Sequence, residues 1–153
     1  KNIKTASNHA ESQGLNINYV HSTVEDISEK KDKFDVILNM EVIEHVSDVN
    51  LFINSCSKVL SSNGIMVFAS LNRTLISYGL AIIGVEYILG WLPKGTHDWS
   101  KFITPDELKI FFSSNGLKID EIIGMKYNPL FDSWSRSKDL SVNYLGVSSK
   151  INS

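Results

Sequence analysis

A single cysteine and three prolines are spread over the 153 residues. One cysteine excludes an intrachain disulfide framework and any zinc site built on several thiolates, and it fits a reducing compartment. Charge of one sign is also lacking. Fifteen Lys and Arg stand against seventeen Asp and Glu for a net charge of −2, and the basic residues are scattered along the chain. Scattered cations give no polyanion-binding footprint, so nucleic acid is not an expected partner. Lys1-Asn2-Ile3-Lys4 is not followed by an apolar segment, so no secretory leader is read here, and the absence of an initial Met points to a piece of a longer chain. No two of the nine glycines lie two residues apart. A G-x-G-x-G loop, which lets backbone approach a nucleotide-like cofactor at a helix N-terminus, is therefore absent.

What is present reads as one globular domain, with 42% hydrophobic and 21% charged residues. Strand and helix patterns alternate, which argues for an α/β sheet. Residues 1–13 are helix-compatible and Gly14 is placed to end that helix. Ile17–Val20 reads as a short strand, and Asp35–Met40 behind Phe34 as a parallel strand buried on both faces. Ser47 or Asp48 caps a helix whose apolar residues run from Val49 to Leu60 at helical spacing, with Asn63-Gly64 as its end. Ile65–Ser70 is the next strand. Thr104-Pro105-Asp106-Glu107 is a capping box with proline in the first helical position, and Gly116 ends the helix it starts. Residues 117–125 and 142–148 read as two strands joined by a polar loop too short for a crossover helix, hence antiparallel.

Leu75 to Leu92 holds eighteen residues with one charge, Glu86. A spanning helix needs ~20 strongly apolar residues, and Gly79, Gly84, Gly90 and Glu86 weaken that reading. Two readings stay open: a buried helix, or a lid dipping into a membrane surface with Tyr78, Tyr87 and Trp91 as interfacial rings.

Four segments together carry a family resemblance. They are Asn39-Met40-Glu41-Val42-Ile43-Glu44-His45-Val46; Ser70-Leu71-Asn72-Arg73; Pro93-Lys94-Gly95-Thr96-His97-Asp98-Trp99 with Lys101-Phe102-Ile103; and Tyr127-Asn128-Pro129 followed by Val142-Asn143-Tyr144. In this order and spacing the chain resembles the ubiquinone-biosynthesis O-methyltransferases, from about residue 1 to about residue 147. The resemblance implies a Rossmann-like class I methyltransferase sheet, mostly parallel with an antiparallel C-terminal strand. It also implies one partial domain over 1–153 with an apolar insertion at about 74–93, lacking the first two strands and the glycine loop. The implied cofactors are S-adenosyl-L-methionine and a divalent cation such as Mg2+. The implied partner is a polyprenylated phenol or quinol, met in the cytoplasm or peripherally at the inner face of the membrane through 75–92.

Methyl transfer from a sulfonium to a phenolic oxygen is a direct displacement, so the site must align donor and acceptor and see the phenol ionised. Glu41, Glu44 and His45 follow the strand ending at Met40, the sheet edge where open α/β folds bind ligands. The resemblance implies that this triplet binds the metal, and that Met40 flanks the cofactor adenine. The plainer alternatives are backbone capping for Glu44 and His45, and core filling for Met40. His97 is the candidate base for the catechol proton, with Asp98 either orienting it or beginning a turn. Cys56 sits on an apolar helix face and reads as packing. A sheet lacking two strands would expose an edge, so the expected behaviour in isolation is marginal stability, homo-oligomerisation, or pairing with a complementing N-terminal fragment.

Overall fold

The computed structural model describes residues 2–79 and 98–151. In chain order the elements are α1 (Asn2–Ser12), α2 (Val24–Glu29), β1 (Phe34–Met40), α3 (Val49–Val59), β2 (Leu60–Leu71), the single turn α4 (Leu75–Ser77), α5 (Pro105–Ser114), β3 (Leu117–Asn128), β4 (Ser133–Ser137) and β5 (Asn143–Lys150). Short 3-10 turns lie at Ile43–His45 and Trp99–Lys101.

Local chemistry sets most boundaries. Gly14 and Gly116 adopt φ of +66° and +72°, the left-handed geometry that ends α1 and α5 without a Cβ penalty. Asp48 caps α3 by accepting from the Leu51 N–H at 2.9 Å. Thr104 and Glu107 form the expected reciprocal box at α5. A second box, Thr23 with Asp26, starts the unanticipated helix α2.

The sheet order is β1-β2-β5-β3-β4. β1 and β2 are parallel, whereas β5 runs antiparallel to both its neighbours, and β4 antiparallel to β3. β1, β2 and β3 therefore share one direction, yet only one ladder is parallel. The insertion of β5 between β2 and β3 makes the sheet mixed rather than mostly parallel. The expected antiparallel pairing of the last two long strands is present, with β4 as an added polar strand in the loop between them.

Three expectations are corrected. Ile17–Val20 is not a strand; no strand among the described residues pairs with it, and Ile17 and Val20 are exposed. β1 is not buried on both faces. It is an edge strand, and Phe34, Val36, Leu38 and Met40 are exposed along one face, Leu38 at 69%. Asn63-Gly64 does not end α3; the chain turns at Leu60 and β2 already spans these residues. Gly64 is needed there because a Cβ would lie 2.8 Å from the Leu60 side chain and 3.0 Å from the Asp35 carbonyl oxygen.

The core lies on the other face of the sheet, under α3 and α5. Ile53 and Cys56 of α3, and Leu108 and Phe112 of α5, close over Met66, Phe68, Leu117 and Tyr144. Burial pushes the Cys56 thiol up to about 12, so it is packing and not a nucleophile.

Candidate functional site

β1 delivers its last residues to the sheet edge expected to bind ligands. Met40 pairs with Ala69 in register and remains about half exposed. Glu41 adds one more rung, its N–H donating to the Ala69 carbonyl at 3.0 Å. It does so at φ +54°, a left-handed conformation that costs a residue with a Cβ of the order of 1–3 kcal/mol. The chain then tightens into the 3-10 turn that carries Glu44 and His45.

Glu44 is the buried member, at 3% exposure. Its Oε2 accepts from Ser70 Oγ at 2.8 Å, and Oε1 has no donor while the neighbouring Glu41 is ionised. A buried carboxylate held on one oxygen and free on the other is costly unless a ligand completes it. Glu44 lines a cavity of about 260 Å3 with Ile43, Arg73, Lys101, Phe102 and Glu107. Arg73 donates to the Phe102 carbonyl at 3.1 Å and is ion-paired with Glu107, whose carboxyl is held below its usual range. Although burial opposes that lowering, the Thr104 and Arg73 hydrogen bonds outweigh it. Tyr144, behind Ser70, donates its hydroxyl to the Ile103 carbonyl at 2.8 Å, and burial raises its pKa well above the ordinary value.

The Glu41 carboxyl is pushed up to about 8, by burial first, then by hydrogen bonding to Glu44 and by the like charge of Glu44. A raised acid binds a proton in the folded chain that the unfolded chain has released. In metal-free buffer this stability contribution is complete below about pH 4.5 and is lost as pH rises through about 8. Thermal melting between these limits should show the decline, and Glu41→Gln should flatten it.

The implied metal triplet is only partly assembled. Glu41 and Glu44 interact, but His45 is exposed, and no three His, Cys, Asp or Glu side chains gather into a metal-binding group among the described residues. Two carboxylates with one orphaned buried oxygen fit a hard cation; the imidazole is not shown to join them. In this structure the two carboxylates stand together and the imidazole apart from them. His97 lies outside the described residues. Its neighbour Asp98 does begin a turn, accepting from the Ser100 N–H at 3.1 Å and Oγ at 2.6 Å, which lowers its pKa. The sequence alone assigns Ser70 no role toward Glu44. Ser70 had one signal available, its position five residues after Ile65 on a strand parallel to the one ending at Met40.

A family profile described as a methyltransferase domain matches residues 1–68. A relative from Bartonella bacilliformis, named ubiquinone biosynthesis O-methyltransferase, is 55% identical over 94% of this chain. Over the part of them that it spans, the chain is similar to ubiquinone biosynthesis O-methyltransferases. A relative of the same name from Parvibaculum lavamentivorans is 51% identical over 98% of the chain. The chain spans 58% and 59% of the length of these two relatives. Among solved structures, an S-adenosylmethionine-dependent methyltransferase from Clostridium acetobutylicum superposes with a TM-score of 0.66 at 12% identity, covering 97% of this chain and 71% of its own. Magnesium protoporphyrin IX methyltransferase from Synechocystis, solved with bound SAH, gives 0.51 at 14% identity over 82% of this chain and 48% of its own. At such identities the likeness is one of fold, and that fold is the Rossmann-like sheet of class I methyltransferases.

Proposed function

We propose that this chain carries the acceptor side of an S-adenosylmethionine-dependent O-methyltransferase acting on polyprenyl catechols or demethylubiquinols. The observation that supports it most is Glu44, a buried carboxylate with one free oxygen on a cavity at the C-terminal end of β1. The names and identity of the relatives give the chemistry its class.

When bound, the sulfonium cofactor supplies the methyl group, and a divalent cation on Glu41 and Glu44 would lower the catechol pKa. The chain's own residues do the rest. Met40, half exposed and apolar at the end of β1, offers a flank for an adenine ring. Ser70 holds and orients Glu44 through its Oε2. Phe102 and Phe111 give the cavity apolar wall, which favours an aromatic acceptor over water. His97 is the proposed base that takes the acceptor's hydroxyl proton. The run 75–92 is proposed to meet the polyprenyl tail or a membrane surface at the cytoplasmic face; Leu75 and Ile76, at its start, are exposed. No helix among the described residues is long and apolar enough to cross a membrane.

A second reading is favoured by β1. Among the described residues its outer edge is unpaired, and its exposed face is a row of apolar side chains. Cofactor binding would then require a complementing strand-bearing segment or a second copy at that edge. Titration calorimetry with S-adenosylmethionine decides between the two. Micromolar binding by the chain alone removes the second reading; binding that appears only with a complementing N-terminal segment of a relative supports it. If neither arrangement binds the cofactor or methylates a catechol, the proposal fails. Where activity is present, Glu41→Gln and Glu44→Gln are expected to weaken its magnesium dependence by at least about tenfold.

A further inference from the structure

The opposite end of the sheet holds a second constellation, and methyl transfer makes no use of it. Lys31 and Lys33 precede β1, and Lys58 stands in the last turn of α3. The antiparallel course of β5 brings its last residue, Lys150, back to the end where β1 begins. These four lysines line one cavity of about 500 Å3, and no carboxylate is among its lining residues. It is separated from Glu41 by the seven-residue length of β1, roughly 20 Å at about 3.3 Å per residue.

Four cations on one cavity repel one another. None of the four makes an ion pair among the described residues. Burial, and then the charge of Lys33, hold the Lys150 ammonium below its usual range. The neighbouring polar groups are already committed. Ser28 and Ser57 donate to the Glu25 and Asn115 carbonyls at 2.7 and 2.8 Å, and the Asn54 amide donates to Asn115 Oδ1 at 2.9 Å. Lys33 Nζ donates to the Lys58 carbonyl, which fixes that ammonium over the cavity with N–H groups to spare. The site thus offers several point-charge donors with no hydrophobic residue among its lining residues, a match for a compact, multiply charged oxyanion rather than an aromatic or a monocarboxylate.

We propose that this cavity binds a phosphomonoester or diphosphate group, carried either by a small phosphorylated ligand or by a lipid headgroup. The proposal is independent of the methyltransferase reading. Its test uses the whole chain, with pyrophosphate in titration calorimetry and phosphatidylcholine vesicles with and without phosphatidic acid in co-sedimentation. Saturable pyrophosphate binding is expected, steeply weakened by salt and reduced at least about tenfold in Lys33→Gln combined with Lys150→Gln. Lys109→Gln, exposed on α5, should leave it unchanged. Binding to phosphatidic acid vesicles that the double variant loses, without pyrophosphate binding, assigns the group to a headgroup. Neither probe binding, or both binding the double variant as well as the parent, overturns the proposal. Relief of repulsion should leave the double variant's melting temperature unchanged or higher. Should it instead unfold, Lys31→Gln with Lys58→Gln gives the same readout.

Discussion

Phe68→Ala is expected to lower stability by about 3–5 kcal/mol in urea denaturation, the range for deleting a fully buried aromatic side chain. Phe68 is completely buried at the centre of β2. Its ring stands edge-on to Phe112 at 5.0 Å between centroids, and to Tyr144 at 6.5 Å, so it joins the sheet to α5 and to β5. Gly146 is the counterpart of this packing. A Cβ there would lie 2.4 Å from Phe68 Cζ and 2.6 Å from the Glu121 carbonyl oxygen. Gly146→Ala should therefore cost about 1–3 kcal/mol by overpacking. Combined with Phe68→Leu it should cost less than the two single changes added together, because the shorter side chain removes one of the two clashes. Strict additivity would show that the ring contact is not what forbids a side chain at residue 146.

Ser70→Ala is expected to lower stability by about 1–3 kcal/mol, the cost of leaving a buried acceptor unmatched. The reason is that Ser70 is the hydroxyl donor to a buried carboxylate whose other polar neighbour is the acidic Glu41. Ser70→Thr keeps the hydroxyl and should retain most of the stability. Adding Glu44→Gln to Ser70→Ala removes the charge and should recover part of the loss. If Ser70→Ala melts like the parent, Glu44 is solvated in solution and its role on the cavity is lost with it. Under the proposed function, a saturating divalent cation should raise the parent's melting temperature and should flatten the decline with pH assigned to Glu41. No response in either would remove the metal from the proposal while leaving methyl transfer open.

The balance between these effects explains which parts were legible in sequence. Capping is local chemistry, spelled out within four residues, so Thr104 with Glu107 and Asp48 with α3 could be read directly. Thr23 with Asp26 had the same form and was passed over because only six helical residues follow it. Buried runs were read less well. The apolar alternation of β1 is the same whether a neighbour covers it or not, so its exposed face could not be foreseen from the residues alone. The Ile17–Val20 strand failed for the same reason, since a strand is made by its partner and none lies beside it among the described residues.

The sequence by itself determined the alternation of strands and helices, their caps, the family likeness, and the position of Glu41 and Glu44 just after a strand. These are consequences of neighbours along the chain. The tertiary structure alone decided that Glu44 is buried on Ser70 while His45 is exposed, because burial depends on which strand lies alongside. It likewise decided that lysines scattered between residues 31 and 150 share one cavity. Their separation in sequence hid them, and the antiparallel return of β5 brings the last of them back to the first.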